Sequence, residues 1–210
     1  MNDVPSSQGI DGAVLIIDDD PSMRQALENL FDSVGMATHS FASPREFLGW
    51  PLPDMPLCLI LDIRMPGRNG LDFQQDLAPI HEHIPVVFIT AHGDIPMSVR
   101  AMKAGAIEFL TKPFKDQDLL DAIYAGLAQS RAHRHEAAAA ADLRLRYASL
   151  SGRERQVMGM ILEGQLSKQI AANLGLSEIT VKVCRSQMMR KMKATSLLDL
   201  GRVAERILNL

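Results

Sequence analysis

The stretch Ala13–Pro21, AVLIIDDDP, decides how the first 130 residues are read. Ala13–Ile17 is apolar without interruption, the pattern of a strand buried on both faces, and Asp18, Asp19 and Asp20 end it. Pro21 then stands at a helix start, and Met23, Leu27, Leu30, Phe31 and Val34 recur at helical spacing up to Gly35. The alternation continues outward. Met36–Phe41 predicts a strand and Ser43–Leu48 a short helix. Leu57–Leu61 is an apolar run ending at Asp62, followed by a helix over Leu71–Ile80. Pro85–Ile89 predicts a strand ending at Thr90, with a helix over Ile95–Ala104. Ile107–Leu110 is the last strand, and a final helix starts near Asp116. Five strands alternating with five helices predict an α/β, doubly wound, five-stranded parallel sheet. In such sheets the working site lies at the carboxyl ends of the strands.

Those ends carry a defined set of side chains. Asp18 and Asp19 follow the first strand, Asp62 the third and Thr90 the fourth, and Lys112 follows the fifth, next to Pro113. Three carboxylates held close repel one another and call for a divalent cation, and an all-oxygen set suits Mg²⁺ or Mn²⁺. A lysine and a hydroxyl beside them can steady the charge of a phosphoryl group in transfer, and a carboxylate is a competent phosphoryl acceptor. A single acidic strand end is an ordinary solvated loop. Five such residues at the ends of four strands describe a site.

The net charge of -3 over 210 residues conceals a division. Residues 1–130 hold 8 Lys+Arg against 18 Asp+Glu, a balance of -10, whereas residues 131–147 balance at +2 and residues 148–210 at +5. An acidic first part and a basic tail predict two domains, the second facing a polyanion. From Tyr124 to Leu145 the chain is Ala-rich, with Ala137–Ala141 unbroken, which predicts that the last helix of the first domain extends through this region. The tail itself is all-α. Ser151 with Glu154 fits a capping box, Ser167 starts a short helix, Gly175-Leu176-Ser177 makes a tight connection, and Glu178–Lys191 is a helix carrying Lys182, Arg185, Arg190 and Lys191. A final helix covers about Ser196–Leu208. Two short helices joined by three residues containing Gly form a helix-turn-helix.

Four stretches, VLIIDDDPSMRQAL, LCLILDIRMPGRNGLDF, VVFITAHGD and AIEFLTKPF, resemble the signature blocks of bacterial two-component receiver domains, which are flavodoxin-like. The resemblance implies that Asp62 is the phosphoacceptor, that Asp19 and Asp62 are side-chain metal ligands, that Asp18 acts through water, and that the backbone carbonyl of Arg64 completes the protein ligands. It further implies that Thr90 is the switch hydroxyl, Lys112 the phosphate-binding lysine, Phe109 the switch aromatic, and the Lys112–Pro113 peptide cis. Phe109 lacks the hydroxyl of the Tyr found in many relatives. The tail stretch LSGRERQVMGMILEGQLSKQIAANLGLSEITVKVCRSQMMRKMKA resembles the LuxR-type DNA-binding domain of the NarL/FixJ class of response regulators. That resemblance implies base contacts by Lys182, Val183 and Ser186, and phosphate contacts by Lys168, Thr180 and Arg185. Cys184 stands where His is usual, and Ser186 is shorter than the Lys of some relatives. Together the resemblances imply a receiver over 12–127, a helical linker over 128–146 and a DNA-binding domain over 147–210. The partners they imply are a sensor histidine kinase, promoter DNA, RNA polymerase and, on phosphorylation, a second copy of the chain. Leu200, Ala204 and Ile207 on the last helix are the predicted dimer face.

Two rival readings fit the residues less well. An aspartyl-phosphate phosphatase keeps a second Asp two residues after its nucleophile, where this chain has Arg64, so a regulator is expected, not an enzyme. A pure protein-binding module is disfavoured by the basic helix from Ser177. No apolar run approaches the roughly 20 residues of a membrane span, and residues 1–11 lack the pattern of a secretory signal, so a cytoplasmic protein without membrane contact is expected. Two cysteines, Cys58 and Cys184, suggest neither a disulfide framework nor a zinc site. His81, His83 and His92 lack metal-ligand spacing and read as surface residues, as do His133 and His135. Trp50 reads as loop packing, and Met188 and Met192 as core beneath the basic helix.

Overall fold

The computed structural model describes residues 11–66, 68–81 and 84–208. The expectations for residues 1–10, for His83 and for the side chain of His81 lie outside the described residues. The chain divides into two compact units, Met1–Arg134 and His135–Leu210.

In the first unit the elements run β1 (Ala13–Ile17), α1 (Pro21–Ser33), β2 (Ala37–Phe41), α2 (Pro44–Leu48), β3 (Leu57–Asp62), β4 (Arg64–Met65), β5 (Arg68–Asn69), α3 (Gly70–His81), β6 (Val86–Thr90), α4 (Ile95–Lys103), β7 (Glu108–Thr111) and the start of α5 (Asp116–Ala148). The main sheet is parallel with order β2-β1-β3-β6-β7, as the alternation predicts. The short antiparallel pair β4–β5 is an addition that two-residue strands do not announce in a sequence. Alternate strand residues feed two cores. Leu15, Ile17, Leu59, Leu61 and Phe88 pack with Phe47, Phe73, Leu77 and Ala101 from α2, α3 and α4. Val14, Ile16, Ile60, Val87 and Ile89 pack with Leu27, Phe31, Leu119 and Ile123 from α1 and α5. Both faces of β1, β3 and β6 are therefore buried, which explains their uninterrupted apolar runs. Trp50 lies on the rings of His39 (4.5 Å) and Phe41 (5.5 Å), a packing role.

The turn chemistry follows the sequence signals. Asp20 caps α1 by accepting from the Ser22 N–H, Ser43 caps α2 and Asp94 caps α4, each followed by Pro within the first turn or two positions. Helix α5 runs 33 residues without a break, as its alanine content favours. Within the first unit it is anchored by the hydroxyl of buried Ser130, which accepts the Leu57 N–H at 3.1 Å.

The second unit continues with α6 (Gly152–Leu162), α7 (Ser167–Leu174), α8 (Glu178–Met192) and α9 (Leu197–Leu208). One cluster joins Leu143, Leu150, Met158, Met188, Met192, Leu200 and Ala204, and a second joins Val157, Ile170, Ala171 and Val181. Met188 and Met192 are fully buried. The expected dimer face is corrected here. Leu200 is 0% and Ala204 8% exposed, and Ile207 packs on the same cluster, so all three are occupied in holding α9 to its own unit. A helix of so small a unit must give its apolar stripe to the core first. Among the described side chains of α9, the exposed large apolar ones are Leu197 and Leu198.

Candidate functional site

Parallel pairing sets the carboxyl ends of the strands level. Ile17 lies beside Leu61, Asp62 beside Ile89 and Thr90 beside Thr111. The residues just past those pairs therefore share one end of the sheet. Asp18 is fully buried; its Oδ1 accepts the Asp20 N–H at 2.9 Å and its Oδ2 accepts from Lys112 Nζ at 2.8 Å. Lys112 Nζ also donates to Asp62 Oδ2 at 3.2 Å, while the Arg64 N–H donates to Asp62 Oδ1 at 3.1 Å. One ammonium thus bridges two carboxylates. The Lys112 N–H donates to the Thr90 carbonyl at 2.8 Å, and the Lys112–Pro113 peptide is cis. Thr90 is fully buried, with Oγ1 accepting the His92 N–H at 3.3 Å. Asp19 is exposed, and one carboxylate oxygen from each of Asp18, Asp19 and Asp62 lies within 4.8 Å of the others. This hard-oxygen set is typical of the Mg²⁺ site of a receiver domain.

The electrostatics follow from burial and charge. Burial pushes the Asp18 carboxyl above its ordinary value, outweighing the hydrogen bonds from Lys112 and from the Asp20 amide. Burial works to lower Lys112, yet its contacts with Asp18 and Asp62 prevail and leave the ammonium raised, so the lysine stays charged. Two carboxylates beside one lysine, with a third at the rim, leave the pocket short of positive charge. The ring of Phe109, half-buried, lies against the loop after β6. A Cβ at Gly93 would come within 2.8 Å of Phe109 Cε1 and 2.6 Å of Thr111 Cγ2, so that loop approaches β7 more closely than any side chain allows. Cys58 is buried beneath α5 with its thiol pushed up to about 12, which makes it inert.

In the second unit, Gly175 in the left-handed conformation closes α7 and Ser177 caps α8, accepting the Thr180 N–H at 3.1 Å. Lys182, Val183 and Ser186 are exposed on α8, as are Lys168 and Thr180; Arg185 is half-buried. The Thr180 hydroxyl lies 2.8 Å from Ser177 Oγ. Cys184 is turned partly toward the core with Val157 and Val181.

Sequence reasoning missed three contributors. Arg24 donates to the Asp18 carbonyl at 2.7 Å, pinning the turn that aims Asp18; an Arg one turn into a helix carries no signal of that role. Asp20 serves as helix cap instead of adding to the acidic site, which the following Pro could have indicated. Glu154 does more than cap α6. It is 3% exposed, and its Oε2 accepts from Ser151 N–H and from Lys191 Nζ, both at 2.7 Å, tying the end of α8 to the start of α6.

Comparisons with known proteins match this division. Residues 14–124 match the family described as response regulator receiver domain, and residues 148–204 match bacterial regulatory proteins, luxR family. The chain is 51% identical over 192 residues to nodulation protein W of Bradyrhizobium diazoefficiens, covering 91% of this chain and 85% of that protein. It is 41% identical over 191 residues to the transcriptional regulatory protein FixJ of Azorhizobium caulinodans, covering 91% and 90%. Among solved structures, the response regulator StyR superimposes with a TM-score of 0.86 at 46% identity, covering 94% of this chain and 100% of that one. Among the described residues no helix is long and apolar enough to cross a membrane. An acidic pocket at the end of a five-stranded parallel sheet, followed in the same chain by a helix-turn-helix unit, places this chain in the NarL/FixJ family of two-component response regulators, transcription regulators and not enzymes.

Proposed function

We propose that Asp62 accepts a phosphoryl group from the phosphohistidine of a sensor histidine kinase and that this controls binding of the second unit to promoter DNA. The observation that carries the proposal is the bridge from Lys112 Nζ to both Asp18 and Asp62, set beside buried Thr90. An Asp62 oxygen attacks phosphorus, the P–N bond breaks as the P–O bond forms, and the imidazole leaves. Lys112 is placed to follow the new phosphoryl oxygens, and Thr90 to donate its hydroxyl to one of them. Asp18, Asp19, Asp62 and the Arg64 carbonyl would hold Mg²⁺ or Mn²⁺, which supplies neutralising charge. Movement of Thr90 then frees Phe109 to turn.

The receiver reading covers 12–127, the linker 128–146 and the DNA-binding domain 147–210. Lys182, Val183 and Ser186 face base edges, with Lys168, Thr180 and Arg185 on phosphates. Phosphorylation favours a homodimer. Exposed Ile95, Val99 and Met102 on α4 and Leu197 and Leu198 on α9 support self-association. RNA polymerase is a further partner, and the cytoplasm the compartment. The test is Asp62→Asn with a small phosphodonor in Mg²⁺. Labelling is lost if Asp62 is the acceptor, and labelling at the parent rate moves the acceptor elsewhere.

A further inference from the structure

The outward line of α8 differs from the one that Lys182, Val183 and Ser186 describe. Val181, Met188 and Met192 are each 0% exposed and mark its inward line. At about 100° per residue, the positions diametrically opposite are Ile179, Val183 and Arg190, with Ser186 next to them and Lys182 well toward one flank. Ile179 is 75% exposed and Val183 49% exposed. Ile179 is the most exposed large apolar side chain among the described residues of the second unit. Spaced four residues apart, the two form a continuous apolar ridge over the first turn and a half of the helix. The two apolar residues stand at the centre of the outward line, with Lys182 on one flank and Arg190 about two turns beyond Val183 on the same line.

The surroundings narrow the occupant to DNA. Lys182, Arg190 and Lys168 are exposed cations of a unit with net charge +5 over residues 148–210. Lys168 and Arg190 suit a phosphate backbone, and Lys182 a base edge on the flank of the ridge. Apolar side chains on that ridge cannot satisfy the polar edges of the bases. The one apolar feature of the major-groove floor is the C5 methyl of thymine. The first turn of a recognition helix is also the part that reaches deepest.

We infer that Ile179 is a specificity-determining residue, forming with Val183 a ridge that reads thymine methyl groups. The inference rests on the proposed insertion of α8 into the major groove. The full-length chain, treated with a phosphate mimic in Mg²⁺, selects duplexes from a random-sequence library. Each thymine of the enriched site is then replaced in turn by deoxyuridine, which removes only the methyl. The parent loses about fourfold in affinity at a thymine under the ridge, the burial value of one methyl. Ile179→Ala binds the enriched site more weakly and loses the deoxyuridine effect at one position, whereas Lys182→Ala weakens binding and keeps it. An enriched site at which Ile179→Ala and the parent respond identically to every deoxyuridine overturns this inference alone. A library that yields no enriched duplex removes the DNA reading and this inference with it.

Discussion

Replacing Lys191 by methionine tests whether the second unit depends on a single buried ion pair. Glu154 is 3% exposed, and Lys191 supplies one of the two hydrogen bonds to its Oε2, at 2.7 Å. Methionine keeps the aliphatic stem and removes the ammonium, so Glu154 is left as a buried carboxylate with no cation and only Ser151 to bond it. Breaking a fully buried pair costs about 3–5 kcal/mol. The Lys191 side chain is 35% exposed, so water reaches one partner, and about 2 kcal/mol is the expected loss. For a unit of this size that lowers the midpoint by roughly 8–16 °C. The assay exploits the single tryptophan, Trp50, which reports only the first unit, whereas far-UV circular dichroism follows the helices of both. Lys191→Met should move the helical transition that Trp50 does not follow to lower temperature and leave the Trp50 transition in place. The loss also has a pH signature. Burial would raise the Glu154 carboxyl, but its bonds from Lys191 and Ser151 outweigh burial and hold it below the ordinary value. The pair therefore stabilises fully above about pH 4.3, the ordinary glutamate value, and fades as pH falls through the lowered folded value. The parent–mutant gap should close over the same range, since protonated Glu154 needs no cation. Superimposable helical transitions of parent and mutant at pH 7 would refute the reasoning.

Two further outcomes are expected. Asp19→Ala removes the exposed member of the acidic set and should weaken Mg²⁺ binding at least tenfold by titration while leaving the Trp50 melting transition unchanged, because relieving like-charge repulsion costs no stability; unaltered affinity would exclude Asp19 as a ligand. Gly93→Ala should destabilise the first unit by about 1–3 kcal/mol in Trp50-monitored urea unfolding, since its methyl meets Thr111 and Phe109, and adding Phe109→Ala should recover part of that loss; strictly additive effects would mean that the loop and ring are uncoupled.

The strands of the central sheet were legible because β1, β3 and β6 are buried on both faces, and such strands write their burial as unbroken apolar runs. The pocket was legible because each of its side chains sits within two residues of a run's end. Part of what escaped the sequence involves a pair far apart in the chain. The tie from Lys191 to Glu154 spans 37 residues, and neither residue departs from what a solvated helix surface would carry. The assignment of α9 failed for a related reason. Leu197, Leu198, Leu200, Ala204 and Ile207 are all apolar, and periodicity identifies a stripe without saying which edge of it the core takes. On α8 the inward line is set by Val181, Met188 and Met192, so the outward line, and with it Ile179, became visible only once those were placed.

The level register of β1, β3, β6 and β7 makes the two ends of the sheet unequal as places to lengthen the chain. Extra residues in the Pro-rich connection between α2 and β3, at the end remote from Asp62, leave every strand pairing intact and cost only slowly growing loop entropy. One extra residue inside β3 turns Asp62 to the opposite face and breaks its alignment with Ile89. Insertions and fusions made at the remote end should thus preserve phosphoryl chemistry, and a single residue added at the near end should abolish it.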